Sequence, residues 1–405
     1  MTAPGDELTF FLGAFGDPGH AFPMLALGSR LAARGHAVTL ETWSRWREHA
    51  EAAGMRFVAA PEYPVFPTRE HPVKPYEAVV LSTPPTRRAM MATRPDAVVH
   101  DILTLAPALA AELEGLPAAT LIPHVHPAGA PGLPPYALGA RPARTAAGRA
   151  LWRRLGPGVE RGLRQGRKDL NETRAKLGLP PVNRLNGGIS ERLSLVATFP
   201  QLEDPGPRPP GSHVVGPLLW EPPAGDVEPP LGDEPLVLVA PSTAQDPEHR
   251  LLRAALAGLA REPVRVLAAW NRRPVTGPLA VPANARLVEW LSYARIMPRC
   301  RLVICHAGHG TVVRALASGC PVLAVPAAGD MNENAARVDW AGAGVRLPWR
   351  LLSPATLRLA VRRALADPRL AGRAGELGAW ARGHDGAERA AELVEGLARG
   401  EGRGA

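Results

Sequence analysis

Short apolar runs alternate with helical patterns from the start of the chain. Residues 8–14 form an apolar run that ends in a glycine-rich turn, and residues 23–33 place apolar side chains at helical spacing. A second apolar run follows at once, at residues 36–41. This succession of strand, loop, helix and strand predicts the βαβ unit of a parallel sheet.

The alternation continues to residue 202, which we take as the end of a first domain, 1–202. A helix is predicted at residues 106–114, and the arginine-rich stretch 139–177 also has a helical pattern. Residues 193–198 are expected to form an edge strand. The other strands are predicted at residues 56–59, 97–100 and 118–122. The first domain is therefore expected to be a doubly wound α/β sheet.

Prolines and glycines crowd together between residues 203 and 235. Because proline lacks an amide proton and glycine costs conformational entropy, this composition cannot hold a long helix or a central strand. We therefore predict an interdomain linker at residues 203–235.

The alternation restarts after the linker and predicts a second domain, 236–380, as expected for a chain of 405 residues. A helical tail at residues 381–405 is expected to pack back toward the first domain. Strands are predicted at residues 236–240, 264–270, 285–288, 302–306 and 322–325, and helices at residues 249–261, 310–318, 332–341 and 355–397. Two Rossmann-like halves would then face each other across a ligand-binding cleft.

The formal charge of +9 first suggests a nucleic-acid partner. The positive charge is almost entirely arginine, however, since the chain has three lysines, Lys74, Lys168 and Lys176. The arginines are interleaved with apolar residues, as on the solvated face of a helix. We therefore predict no nucleic-acid partner, and a few cations suffice for a small anionic ligand.

The cysteines Cys300, Cys305 and Cys320 lie in one segment and are odd in number, which favours reduced thiols over a disulfide framework. A zinc site that includes His306 has no common spacing to support it, so no metal is expected. The chain start lacks the basic region of a signal peptide, and no apolar run is long enough to span a bilayer. We predict a cytoplasmic protein without stable membrane insertion.

A glycine-rich turn between a strand and a helix is the first candidate for ligand chemistry. Gly308 and Gly310 allow a close backbone approach, and the free amides of the following helix suit a diphosphate. Glycines at such a turn also serve packing alone, so the turn by itself leaves both interpretations open.

The surrounding residues strongly resemble the donor site of inverting glycosyltransferases related to the UDP-glucuronosyltransferases and the bacterial antibiotic glycosyltransferases. The matching segments, in this order, are residues 288–290 (VEW), 306–311 (HAGHGT), 319–321 (GCP), 326–330 (PAAGD) and 334–335 (NA). The resemblance implies the GT-B architecture, in which two facing Rossmann-like domains enclose the active site, and a reaction without a metal or other cofactor besides the nucleotide sugar.

By this resemblance, Trp290 and the following Leu291 would lie at the nucleobase. His306 would contact the diphosphate, with Gly310 and Thr311 presenting donors to its oxygens. The alternatives are core packing for Trp290 and a buried structural role for His306. The other residues expected at the donor are Gly308, His309, Ser242 and Thr243, where the last two match small hydroxyl residues of relatives or simply cap a helix.

Asp330 falls where relatives carry an acidic residue that accepts hydrogen bonds from the donor sugar. Met331 falls where many have glutamine, and a thioether cannot replace the hydrogen bonds of an amide. This departure suggests a sugar with fewer hydroxyls at that point, such as a deoxysugar. We expect a dTDP-sugar as the donor, otherwise a UDP-sugar.

His20 occupies the position of the family's catalytic base, at the start of the first predicted helix. Inverting transfer needs a base to accept the proton of the acceptor hydroxyl, and the positive helix end is expected to disfavour the imidazolium. Asp101, at the end of a predicted strand, is the expected partner that orients His20. The alternative is that His20 only caps the helix.

The acceptor pocket is expected in the first domain, at loops that follow its strands. The candidates by position are Trp43, Trp46, Phe66, His124 and His126, each of which could instead serve ordinary packing. The pair His124 and His126 could suggest a metal, but a loop after a strand is sufficient to explain it. The expected partners are a nucleotide sugar and a small, largely apolar acceptor, and a homodimer remains open.

Two other functions share the donor half of this pattern. A nucleotide-sugar epimerase of the same fold would not need His20 as a base toward a bulky acceptor. A non-catalytic helper protein would not need the phosphate turn together with His20 and Asp101. A hydroxyl-directed glycosyltransferase therefore accounts for more of the sequence than either alternative.

Overall fold

Each half of the chain builds one parallel sheet flanked by helices. The computed structural model describes residues 7–63, 73, 75–129, 132–204, 206, 208–242 and 245–401. The central strands of both sheets are short and almost wholly buried, as expected where helices cover both faces of a parallel sheet. The structure confirms the α/β class and the two Rossmann-like halves.

The first sheet has seven strands in the order β3-β2-β1-β4-β5-β6-β7, and its paired strands run parallel. The strands are β1 (Thr9–Gly13), β2 (Ala37–Thr42), β3 (Arg56–Ala59), β4 (Ala97–Asp101), β5 (Ala118–Ile122), β6 (Ser194–Val196) and β7 (Ser212–Val214). The helices of this half are α1 (Pro18–Ala33), α2 (Arg47–Ala52), α3 (Pro75–Thr93), α4 (Ala106–Leu113) and α5 (Ala146–Lys176).

The second sheet has six strands in the order β10-β9-β8-β11-β12-β13, again parallel throughout. The strands are β8 (Leu236–Ala240), β9 (Arg265–Ala269), β10 (Ala285–Val288), β11 (Leu302–Cys305), β12 (Val322–Ala324) and β13 (Gly344–Arg346). The helices are α6 (Arg250–Leu259), α7 (Tyr293–Ile296), α8 (His309–Ala317), α9 (Met331–Trp340), α10 (Pro354–Ala366), α11 (Pro368–Arg382) and α12 (Gly386–Ala398).

Both sheets reverse their strand order at one point, between β1 and β4 in the first and between β8 and β11 in the second. The loops that leave two such strands diverge to opposite faces, so a crevice opens at their carboxyl ends. His20 follows β1 and Asp101 ends β4, while Ser242 follows β8 and His306 follows β11. These four expected functional residues therefore lie at the two switch points.

The structure departs from the expected elements in several places. Residues 193–198 were expected at the sheet edge, but β7 pairs beyond β6 and takes that position from within the proline-rich segment. Helix α1 begins at Pro18, because proline at the first turn needs no amide partner. The single helix predicted at residues 355–397 is divided into α10, α11 and α12, with Pro354, Pro368 and Asp385 at the starts.

Helix α12 packs on α1 of the first half. Its buried side chains Ala390, Val394 and Leu397 join the core beneath the first sheet. Glu395 is 5% exposed at its side chain and accepts hydrogen bonds from Arg34 Nε at 2.5 Å, Arg34 Nη2 at 2.8 Å and His36 Nε2 at 2.9 Å. The end of the chain is thereby attached to its beginning. No helix among the described residues is long and apolar enough to cross a membrane.

Replacing Glu395 by glutamine is expected to lower the free energy of unfolding by about 2 kcal/mol, between the values for exposed and buried ion pairs. The reason is that Arg34 is one-third exposed and can be hydrated, whereas His36 stays buried. Urea unfolding measures the change. Glu392→Gln on the same helix is the control, since its pair with Arg389 is exposed and should contribute less than about 0.5 kcal/mol. Equal effects of the two substitutions would contradict the prediction.

Candidate active site

The two switch points face one cavity of about 320 Å³. Its walls come from α1 and the loop after β5 on one side, and from the loops after β8 and β11 on the other. Of the residues expected from the sequence, the cavity is lined by His20, His124, Ser242, Trp290, Leu291, His306, Gly308, His309, Gly310, Thr311, Asp330 and Met331. The structure therefore brings the expected base and the expected donor residues to the same space.

His20 and Asp101 form a hydrogen-bonded pair at the floor of the first switch point. His20 Nδ1 lies 2.7 Å from Asp101 Oδ1, and the Asp101 side chain is 1% exposed. The other carboxylate oxygen of Asp101 accepts from the backbone N–H of Phe15 at 3.3 Å and from the Thr104 hydroxyl at 3.4 Å. Because Asp101 accepts from Nδ1–H, the Nε2 lone pair of His20 remains available.

The charges around His20 favour its protonated form more than the sequence suggested. Burial lowers the pKa of His20, but the carboxylates of Asp101, Asp330 and Asp17 raise it by more, so the pKa lies above its usual value. We had expected the positive end of α1 to disfavour the imidazolium. The nearby carboxylate outweighs the helix end because it is a full charge in hydrogen-bond contact. His20 is thus a stronger base than a free imidazole.

The start of α8 presents open backbone to the cavity. Gly308 precedes the helix, and a β-carbon placed on Gly308 or Gly310 would meet no atom within 4 Å. Ala307 adopts a positive φ of 61°, which turns the chain sharply from β11 into the helix. The free amides at this helix start can therefore be approached closely by an anion.

His306 is held by groups of its own domain on both ring nitrogens. The backbone N–H of Ser242 donates to Nδ1 at 2.9 Å, so Nε2 carries the ring proton and donates to Asp246 at 3.2 Å. Burial raises the pKa of Asp246, but the hydrogen bonds from His306 and from the backbone of Leu251 and Arg250 lower it by more. A contact from either nitrogen of His306 to a diphosphate would replace one of these bonds.

The remaining donor residues lie at the rims of the cavity. Trp290 has the Arg272 guanidinium over one ring face, with Cζ 5.0 Å from the centroid. The side chain of Asp330 accepts from Asn334 Nδ2 at 3.3 Å, and Met331 is 9% exposed beside it. His309 Nδ1 lies 3.2 Å from Asn334 Oδ1, so Asn334 connects the start of α8 to the start of α9.

The described residues contain no group of three or more histidine, cysteine, aspartate or glutamate side chains placed to hold a metal ion. Cys300, Cys305 and Cys320 are free and buried, and burial raises the pKa of the first two thiols to about 12. These thiols therefore behave as small apolar side chains of the second core.

Residues 251–388 match the family model described as the erythromycin biosynthesis protein CIII-like C-terminal domain. The chain is 28% identical to 4'-demethylrebeccamycin synthase of Lentzea aerocolonigenes, over 98% of each chain. It is 29% identical to O-mycaminosyltylonolide 6-deoxyallosyltransferase of Streptomyces fradiae, over 94% of this chain and 95% of that one. The chain is a glycosyltransferase with the GT-B fold, and it is similar over nearly its whole length to bacterial antibiotic glycosyltransferases.

Solved glycosyltransferases share the whole fold of this one. The glycosyltransferase of kitacinnamycin superposes with a TM-score of 0.76 at 22% identity, over 96% of this chain and 99% of that one. The glycosyltransferase VinC, solved in complex with dTDP, superposes with a TM-score of 0.70 at 20% identity, over 97% and 100% of the two chains. The fold comparison therefore covers both halves and the cleft between them.

The acceptor candidates of this glycosyltransferase lie in three different environments. His124 lines the main cavity, where its ring stacks on Tyr136 with 5.5 Å between centroids. Trp43 lines a second cavity on the first half. Trp46 and His126 line neither cavity: Trp46 packs in the first core and donates from Nε1 to the Gly16 carbonyl at 2.7 Å, and His126 is 9% exposed. Phe66 and Thr243 lie outside the described residues.

Several residues of the glycosyltransferase's cavity had no signal strong enough for prediction from the sequence. Asn271, Tyr293, Glu221 and Arg314 line it because tertiary packing brings their loops together. Asp246, behind the wall, had a weak signal, since an aspartate just before an apolar helical stretch is a typical helix start. It accepts from the N–H groups of Arg250 and Leu251, both at 2.9 Å. Its second partner, His306, was not foreseeable.

Proposed function

We propose that the enzyme transfers a deoxysugar, with inversion, from a dTDP donor to a hydroxyl of a small, largely apolar natural product. The observation that carries this proposal is the position of the His20–Asp101 pair across one cavity from the open start of α8. A base on one wall and an anion-binding helix end on the other match the two places where charge develops during the transfer.

In this mechanism, His20 Nε2 removes the proton of the acceptor hydroxyl as its oxygen attacks the anomeric carbon. The Asp101 carboxylate accepts a hydrogen bond from Nδ1 and stabilises the imidazolium that forms. The bond from the anomeric carbon to the diphosphate breaks in the same step. The leaving diphosphate is stabilised by the amides at the start of α8 and by the Thr311 hydroxyl. One displacement inverts the configuration, and the proton ends on His20.

Three observations support a dTDP-deoxysugar over other donors. Met331 lies at the cavity beside Asp330 and offers no hydrogen bond to a sugar hydroxyl. One relative is named a 6-deoxyallosyltransferase, and a solved neighbour was crystallised with dTDP. A UDP-sugar is the remaining candidate, because Trp290 can stack on either pyrimidine.

A natural-product acceptor is supported by the relatives named for rebeccamycin and tylonolide compounds. On the side of His20, the cavity lining includes the apolar side chains of Phe22, Leu218 and Trp220. Such a surface favours a flat, weakly polar acceptor, because burying its apolar area is favourable.

A thermal-shift panel with dTDP, UDP and GDP tests the donor proposal. We expect dTDP to raise the Tm most and GDP least, and a ligand at a hundred times its Kd stabilises by about 2.7 kcal/mol. Adding EDTA should leave the dTDP shift unchanged, because the proposed phosphate contacts use amides and a hydroxyl.

The outcomes of this panel separate the candidate functions. No shift with any nucleotide would contradict the donor proposal and favour a non-catalytic helper. Conversion of the nucleotide sugar in the absence of any acceptor would favour an epimerase. Loss of the shift in EDTA would overturn the metal-independent mechanism.

A further inference from the structure

A second cavity of about 160 Å³ lies at the carboxyl-end rim of the first sheet. Its volume is below the few hundred Å³ of a complete drug-sized site, so it suits one substituent of a larger molecule. Aromatic and aliphatic side chains form most of its wall, including Phe15, Trp43, Tyr63 and Leu103. One carboxyl group, that of Glu41, interrupts this wall.

This cavity adjoins the His20–Asp101 pair. The Phe15 ring meets the His20 ring edge-on with 6.0 Å between centroids, and it meets Trp43 with 4.9 Å between centroids. Phe15 and Thr104 both line the cavity, and both donate hydrogen bonds to Asp101. A molecule whose hydroxyl lies at His20 therefore has this cavity beside it.

Glu41 is a buried carboxyl without a cation among its described neighbours. It lies in β2 opposite Gly13 of β1 and is 4% exposed. Its hydrogen bond comes from the Thr86 hydroxyl, which lies 2.9 and 3.0 Å from the two oxygens. Since one O–H donates one proton, the remaining acceptor capacity is unused. Burial raises the pKa of Glu41 to about 7, against the lowering effect of Thr86.

Two other buried carboxylates of the chain are each paired with an arginine. Glu395 accepts from Arg34, and Glu333 accepts from Arg337 Nε at 2.7 Å. Neither lines the second cavity. Among its described lining residues, none is lysine, arginine or histidine. Burying a carboxylate without a counter-ion costs free energy in the empty protein. A cation that enters the cavity would offset this cost and would also contact the aromatic rings.

We propose that this second cavity receives a basic nitrogen of the acceptor, with the Glu41 carboxylate as its counter-ion and Phe15 and Tyr63 beside it. The inference rests on the proposed transfer to a small acceptor and adds that the acceptor carries an amine. Arg45 already covers one face of Trp43, with Cζ 4.8 Å from the ring centroid, so that face is closed to the ligand. Glu41 thereby selects the acceptor by charge, while His20 carries out the proton transfer.

Two phenols of almost equal shape test the inference. Tyramine carries an ammonium group where para-propylphenol carries a methyl group, and both present a hydroxyl for transfer. Calorimetry without donor is expected to show wild-type protein binding tyramine at least about tenfold more tightly, as for a buried ion pair of modest strength. Equal binding of the two phenols, or binding of neither, would overturn the inference.

The substitution Glu41→Gln keeps the shape and removes the charge, so the ratio of the two affinities should fall to about one. Glu51→Gln, an exposed change on α2, should leave the ratio as in the wild type. A retained preference in Glu41→Gln would overturn the assignment of Glu41. The dTDP-induced rise in Tm reports that each variant is folded.

Binding and transfer separate this inference from the proposed function. Transfer rates are measured on the same two phenols with a dTDP-sugar. A charge preference in binding without any transfer would contradict the proposed function alone. Transfer to both phenols without a preference would contradict the amine site alone. A third phenol with a hydroxyethyl chain shows whether charge, and not hydrogen bonding, is selected.

Discussion

Replacing His20 by alanine is expected to lower kcat by about 10²–10⁴-fold, the usual contribution of a general base. His20 Nε2 carries the lone pair that accepts the proton, since Nδ1 is hydrogen-bonded to Asp101. Alanine leaves the acceptor hydroxyl without a base. Initial rates with a dTDP-sugar and a phenolic acceptor measure the loss. The donor half is untouched by the change, so the rise in Tm with dTDP should remain as in the wild type.

A matched substitution shows whether the effect belongs to this histidine. His213 lies exposed on β7, away from both cavities, and His213→Ala should keep the wild-type rate. If His20→Ala retained more than about a tenth of the wild-type kcat, another group would have to accept the proton. If the dTDP shift disappeared as well, the substitution would have disturbed the cleft and not only the base.

Most strands could be predicted closely because they are short, mainly apolar runs between turn residues. The apolar runs at residues 56–59, 118–122, 236–240 and 285–288 match β3, β5, β8 and β10 in their bounds. Helix α3 escaped prediction because Pro84 and Pro85 interrupt its pattern. Strand β7 escaped because it has three residues, none of them fully buried, and sits among prolines.

The pairing of His20 with Asp101 could be predicted because it depends on topology alone. In a doubly wound sheet, residues after β1 and at the end of β4 share the switch point, whatever conformation the loops adopt. The environments of Trp46, His306 and Glu41 depend instead on which way each side chain turns. Trp46 turns inward to the Gly16 carbonyl, and Glu41 turns into a cavity that also needs Thr86 from α3. No local pattern encodes such contacts.

Replacing Asp101 by asparagine is expected to invert the tautomer of His20. The Phe15 N–H and the Thr104 hydroxyl both donate to Asp101 Oδ2, so the amide oxygen of asparagine must take that position. Its NH₂ group then faces His20 Nδ1 and donates to it. The ring proton moves to Nε2, which can no longer accept the proton of the acceptor hydroxyl. We expect kcat to fall by about 10²–10⁴-fold, as for loss of the base itself.

The pH dependence distinguishes this effect from a general structural loss. The base form of His20 is the neutral ring, so wild-type activity should rise with pH through the pKa of His20. Burial lowers this pKa, but Asp101 and the neighbouring carboxylates raise it by more. In Asp101→Asn the largest raising charge is gone and burial remains, so the acid limb of the residual activity should move to lower pH. Asp96→Asn, at the other end of β4, should change neither the rate nor the limb, since Asp96 bonds to the Thr9 amide away from the cavity. A reduced plateau with an unmoved acid limb would contradict the role of Asp101, because a carboxylate that only braced the fold would not set the basicity of His20.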